Sequence, residues 1–567
     1  MIAHGGPVGC RQRCASRLDP FRIARGRRTA IPAVMRAFLL KISLLGLVVL
    51  IFGGCGVGNK EDAGNVLRIG LGGEPRDLDP HTTTGALERS VFESLLEGLM
   101  APHPTDETIP YAGVADRWTM SEDGKTWHFH LREDARWSNG DLVTASNFAY
   151  SWKRVLNPEL GCYFSYLLYG IKGAEAYHAG DLEDFSQVGI VAESDHTLRI
   201  DLEEPLANFL LKLLHPVFLP VHPPTIEAHG GPAVFASGWT AAGSFVGNGA
   251  FQLVKWNPDS MIRVEKNPHY WDAASVGLDA IEFYPMSDAN TQLRAFETGQ
   301  LHVTSSVPEN MQTHYEEKFP ERIRFDPDYQ SVFYRINDTR PPLDNVRVRK
   351  AHSMAIDRRQ LVEQLLHGYH RVAHAFVPDG VNGYASPPGV EYDPDAARQL
   401  LAEAGYPDGT EFPGFVLLFY NDVSVRKLAE AVQAMWESEL GISVTPTNNE
   451  WKTYLTVTEQ MDYDVCADGW YGDTTPYSLL QTMTSGNPNN MTGFADPEYD
   501  RLVKEGTHVL DKARRHSIMQ AAEARLMDYH SLIPLYWGTN IYLIDPRVRN
   551  WHPKMGGRQY KVVTLDD

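Results

Sequence analysis

From Val66 onward, short apolar strands alternate with sharply punctuated helices, and neither a low-complexity linker nor a fixed-period repeat divides them. This alternation constrains the fold more than any other feature and predicts an α/β chain. With no linker to separate compact units, the domains are expected to interleave, the chain crossing between them more than once.

Strands are expected over 66–71 and over 126–132, where TWHFHLR alternates apolar and polar positions and sets His128 and His130 on the solvent side. Val91, Phe92, Leu95, Leu96 and Leu99 fall at helical spacing and predict a helix over 88–100. Thr144 opens a helix that runs to 156 and stops before Pro158. Further helices are expected over 291–298, ended by Gly299, over 345–355, and over 358–367 behind the cap Asp357. Asp393 caps another, with Pro394 in its first turn, Gly405 at its end and Pro407 beyond. A strand is expected over 301–304.

Composition supports a folded globular chain: 567 residues, 43% hydrophobic and 22% charged. The formal charge of −20 hides an asymmetry, +8 on residues 1–54 against −28 on the rest. So acidic a body argues against nucleic-acid binding. The basic end reads as a targeting segment. Arg36 and Lys41 precede an apolar run over 42–52, too short to span a bilayer, followed by Gly53-Gly54-Cys55. Small residues before a cysteine resemble a bacterial lipobox, although Phe52 stands where Leu is commoner. The expectation is a signal segment over 1–54, with Met35 a candidate true start, a lipidated Cys55 and a tether over 55–65. The mature chain is then an extracytoplasmic domain held to a membrane by its lipid. Cys162 and Cys466 remain as a pair whose disulfide geometry the sequence cannot test.

Enzymatic patterns are missing: no GxSxG, HExxH or GxxxxGK[ST] occurs. Without a CxxC pair, cysteine-type zinc ligation is excluded, and no cofactor is expected. His367, His370 and His374 have spacings that could clamp a metal, against the plainer reading of exposed loop histidines. The segment 464–480, DVCADGWYGDTTPYSLL, sets Trp470, Tyr471 and Tyr477 around the isolated acids Asp468 and Asp473. A carboxylate among aromatics suits a cationic ligand group.

Several segments in order carry a family likeness: GGEPRDLDPH (72–81), TWHFHLREDARWSNGD (126–141), FAYSWKRVLNP (148–158), NGAFQL (248–253), PPLDNVRVRKA (341–351), AARQLLAEAGYP (396–407) and NNEWKTYL (448–455). The chain resembles the periplasmic oligopeptide-binding proteins of ABC importers, solute-binding proteins of the peptide/nickel class. The resemblance implies an α/β, two-lobed periplasmic-binding-protein fold with a hinge and an extra subdomain, three subdomains in all. Subdomain I would take 66–96, 221–330 and 541–567, subdomain II 97–220, and the second lobe 331–540. It implies a monomeric binding protein, not an enzyme, whose partners are an oligopeptide ligand and the importer's permease and ATPase.

In such proteins the peptide main chain pairs like an added strand while its side chains sit in roomy hydrated pockets. Carried over, Asp473 matches the aspartate that holds the ligand's α-ammonium. Thr84, Gly85 and Ala86 match one backbone-pairing segment, and Gly469, Trp470 and Tyr471 the other. Trp451, Trp470, Tyr163 and His215 match pocket-lining positions. Where relatives place cations for the ligand carboxylate, this chain has Thr458, Ala467, Leu366 and Val425. The implied ligand has a free amino end, and its far end is longer, modified, or held otherwise, with His215 a candidate. The same fold could instead take a nickel chelate, haem, an oligosaccharide or a cell-wall peptide. Different classes, an extracytoplasmic hydrolase or a sensory or scaffolding lipoprotein, stand as alternatives.

Overall fold

A computed structural model describes residues 64–106, 109–235, 238–472, 475–552 and 558–566. The basic segment, Met35 and Cys55 lie outside the described residues. No helix among those described is long and apolar enough to cross a membrane.

Three main sheets carry the α/β architecture. The first has the order Val66–Gly70, Ala280–Tyr284, Met261–Lys266, Phe251–Asn257, its first pair parallel and the others antiparallel. The second is antiparallel, with the order Ala115–Met120, Thr126–Leu131, Thr197–Asp201, Ile190–Ser194. The third is mixed and six-stranded: Arg371–Val372, Leu532–Leu543, Ile323–Ile336, Val465–Tyr471, Phe415–Tyr420, Val444–Asn449. Its strand Leu532–Leu543 connects back to the first sheet through Val303, which bridges both Ile69 and Ile544, the residue that follows the strand. A register shift between Pro327 and Ser331 breaks the pairing of these strands and bends them locally.

The cores follow the sheets. One cluster runs from Leu67 through Trp152 and Phe283 and takes in Tyr560 and Val563 from the returning tail. Two others, around Trp436 and around Tyr499, use only residues of the stretch 329–537. Cys162 belongs to the first cluster and Cys466 to a small one with Tyr454 and Tyr463; both are free thiols. They form no disulfide because each is sunk in a different core.

Caps set most helix starts as expected. Thr144 and Asn147 form a reciprocal capping box before Ala145–Val155, and Asn345 and Asp393 accept from Arg347 and Ala396 main-chain N–H groups. Three elements differ. The helix expected over 88–100 is Ala86–Leu95, because Asn248 captures the chain directly after it. Its side-chain oxygen accepts from Glu97 N at 2.9 Å and its nitrogen donates to Glu97 O at 2.8 Å. The helix expected over 358–367 is a short α turn, Arg358–Gln360, that widens into a π turn, Leu361–Leu365. The segment 301–304 is no strand; Val303 alone makes bridges.

The family-like segments prove to be joints. Arg154, from FAYSWKRVLNP, donates to both carboxylate oxygens of Asp79, from GGEPRDLDPH, at 3.0 and 2.6 Å. It also donates to His81 Nδ1 at 2.9 Å. Burial and the neighbouring guanidinium push His81 down to about 4, so the ring is neutral and its Nε2 donates to Leu219 O. Burial works against charge on Asp79, yet Arg154 holds its carboxyl below the usual range.

Candidate binding site

Strand Val465–Tyr471 is unequally paired on its two sides. Along one edge it matches the long strand residue for residue, from Ile336↔Val465 to Gln330↔Tyr471. Along the other it meets Phe415–Tyr420 only at Leu417↔Val465 and Leu418↔Cys466. That neighbour then continues beside Val444–Asn449 as far as Tyr420↔Asn449. The Ala467 carbonyl is closed off by the Tyr454 hydroxyl. From Asp468 to Tyr471 the outer edge therefore has no strand partner among the described residues, and an unpaired edge is a template for another main chain.

Aromatic side chains gather beside this edge. Trp451 stacks on Tyr454 at 5.8 Å and meets Tyr420 edge-on at 5.1 Å. Trp451 is 52% exposed and Tyr471 63%, although most large aromatics of this chain are buried. Trp470 is half-buried and packs on the core around Tyr499, so part of its surface is structural. Asp468 is not an isolated acid: its carboxylate lies 2.7 Å from the buried guanidinium of Arg335. Sequence reasoning missed Arg335, and no local signal marks it. Asp473 lies outside the described residues.

A second group forms elsewhere. Thr84, Gly85 and Ala86 are exposed; Gly85 is extended and precedes the helix that Ala86 opens, and it supplies no side-chain cap. A side chain there would meet the Glu88 carboxylate, which is engaged by Arg76 N at 2.9 Å. His215 packs edge-on against Phe164 at 4.7 Å, and Phe164 against Tyr163 at 5.0 Å. Tyr163 is 64% exposed. Burial, then the charges of Arg89 and Lys212, drive His215 down to about 3. Its Nδ1 accepts from Val217 N at 3.2 Å, so Nε2 carries the proton and the ring is neutral. The ring therefore offers a neutral Nε2 donor.

The remaining positions give no cation either. Thr458 is buried and turns its hydroxyl onto the carbonyls of Tyr454 and Leu455. Ala467 is buried, and Leu366 and Val425 are half-buried. No group of three metal-ligating side chains forms among the described residues. His370 and His374 instead pack against Tyr536 and Trp537 at 4.9 Å each.

The chain as a whole finds counterparts among known proteins. Residues 110–491 match the model of the bacterial extracellular solute-binding proteins, family 5. The chain belongs to this family. It is 32% identical to the periplasmic oligopeptide-binding protein OppA of Salmonella typhimurium, over 85% of this chain and 89% of that one. The Escherichia coli murein tripeptide binding protein MppA superposes with a TM-score of 0.75 at 30% identity, covering 89% of this chain and 99% of the other. Haemophilus influenzae OppA in complex with RPPGFSPFR gives 0.72 at 27% identity, over 89% and 100%. The family 5 fold is the two-lobed fold of periplasmic binding proteins, and its members are binding proteins rather than enzymes.

Proposed function

We propose that this family 5 protein captures oligopeptides with a free amino end between its lobes and delivers them to the permease and ATPase of an ABC importer. The open edge of Asp468–Tyr471 carries the reading. A peptide laid there would gain main-chain hydrogen bonds that do not depend on its sequence. Trp451, Tyr471 and Tyr163 offer broad apolar faces for varied side chains. Thr84–Ala86 supply the second main-chain contact, His215 a neutral donor, and Asp473 the carboxylate for the ligand ammonium.

In this reading the lobes divide at the two long strands, with 66–96, 221–330 and 541–567 as subdomain I, 97–220 as subdomain II and 331–540 as the second lobe. The register shift at Pro327 and Ser331 is a natural hinge. Cys55 carries the lipid that anchors a monomeric protein to the cell envelope. With no cation at Thr458, Ala467, Leu366 or Val425, the ligand's carboxyl end is left to water, which favours longer peptides over one fixed length.

Calorimetry with a peptide series, each member free and N-acetylated, tests the reading. Acetylation and Asp473→Ala should each weaken binding more than a hundredfold, as expected when one partner of an enclosed ion pair is lost, about 3–5 kcal/mol. Equal affinity for free and acetylated peptides would refute it. Sharp preference for a single short length would refute the open carboxyl end.

A further inference from the structure

Two parts of the chain whose apolar cores share no residue meet through polar contacts outside the long strands. The segment 203–208 follows the strand Thr197–Asp201 and runs into the helix Phe209–Lys212 and then His215. Leu202 and Phe209, on either side of it, belong to the core around Trp152. The turn 507–510 joins the helices Pro497–His508 and Lys512–Tyr529, whose Val503 and Met519 belong to the core around Tyr499.

Ala207 N donates to Thr507 O at 3.0 Å, and the His508 ring donates from Nδ1 to Pro205 O at 3.0 Å. An apolar rim closes over these bonds. A methyl group on Gly124 would lie 3.0 Å from Pro205 Cβ, 3.6 Å from Leu510 Cδ1 and 3.9 Å from Met120 Sδ, so the three side chains converge there. Leu510 is 47% exposed and Met120 42%. Charge is complementary as well: Lys125, 3.0 Å from Glu204, and then His508 and Lys504 across the contact hold the Glu204 carboxyl below its usual range. Two hydrogen bonds under an exposed rim make a junction that can open without unfolding either core.

We propose that 204–208 and 507–510 form a clasp that holds the two lobes together over a bound peptide and must open for the peptide to leave. The inference rests on the peptide-capturing reading above, in which 97–220 belongs to one lobe and 331–540 to the other. On that reading the clasp joins the part that carries Tyr163 and His215 to the part that carries Trp451 and Tyr471, so parting the lobes there breaks both bonds. Release is the step it governs, because a closed complex loses its peptide only through the open form, whichever way entry occurs.

Stopped-flow release of penta-alanine from the full chain, followed by tryptophan fluorescence, tests this once calorimetry has measured binding to the parent. His508→Ala deletes one of the two bonds and should speed release about threefold to tenfold. Leu510→Glu removes part of the apolar rim and brings a like charge toward Glu204; it should speed release at least as much. Neither residue is among the proposed peptide contacts. Hydrogen exchange of the Ala207 amide gives a second reading that needs no variant: peptide should slow it at least tenfold, since only the opened clasp exposes that N–H. Release at the parent's rate in both variants, or exchange at Ala207 that is indifferent to peptide, overturns the clasp alone. A parent that binds no penta-alanine overturns the peptide-capturing reading, and the clasp with it.

Discussion

The Arg335 guanidinium lies 2.7 Å from the Asp468 carboxylate, beneath the strand whose outer edge is open. Arg335 is buried, whereas Asp468 is partly exposed. Burial opposes the charge on Arg335, but Asp468 overrides it and raises the guanidinium's pKa. The contact is an ion pair rather than an aligned hydrogen bond, since Arg335 Nε finds no acceptor in line. Asp468→Ala would leave a buried cation uncompensated, at a cost of about 3–5 kcal/mol. Replacing both, as Arg335→Met with Asp468→Leu, should recover much of that loss. Urea unfolding of the two single variants and the double variant measures the coupling.

Asn248 fixes the far end of the helix that presents Thr84–Ala86. It is 2% exposed and satisfies both main-chain groups of Glu97. Asn248→Ala strands an N–H and a C=O in the interior, each worth about 1–3 kcal/mol. The expected loss is roughly 2–5 kcal/mol, read as a lowered unfolding midpoint. Asn248→Asp should cost less, because the acceptor for Glu97 N survives.

What could be read along the chain and what could not divide on a physical line. Caps such as Thr144, Asn345 and Asp393 act on main-chain groups two or three residues away, so local residue types sufficed to find them. The α/β alternation and the family likeness were legible for the same reason. Asp468 was misread as isolated because its partner Arg335 is distant in the chain and carries no motif. The early end of helix Ala86–Leu95 depends on Asn248, 151 positions from Glu97. The open edge was legible only as family likeness, since it depends on where Phe415–Tyr420 diverges from its neighbour.

Cys162 and Cys466 should behave as inert thiols. Burial pushes them up to about 11 and about 12, so the reactive thiolate is scarce at neutral pH. In a chain beginning at Gly64, a thiol reagent should find almost no reactive cysteine while the protein is folded and two once it is unfolded in urea. Rapid labelling of either thiol in the native protein would contradict the burial of both.

Glu523 gives stability a pH dependence of unusual sign for a carboxyl group. It is buried, accepting from Val377 N and the Tyr384 hydroxyl at 2.7 Å each. Burial raises its pKa from 4.5 to about 7 despite those bonds. The folded chain therefore keeps a proton that the unfolded chain has released. Its contribution is complete below about pH 4.5 and is lost as pH rises through about 7. Two histidines pull the other way: desolvation holds the buried His352 and the half-buried His516 near 4, so folding loses stability as pH falls below about 6.5. Comparing Glu523→Gln with the parent removes the histidine contribution from the difference. The variant should gain on the parent between pH 5 and about pH 7 and level off above that, by a few kcal/mol at most, because glutamine keeps an acceptor but has no proton to lose. Urea unfolding of both proteins at several pH values in that interval gives the result, and parallel curves would place the Glu523 proton elsewhere.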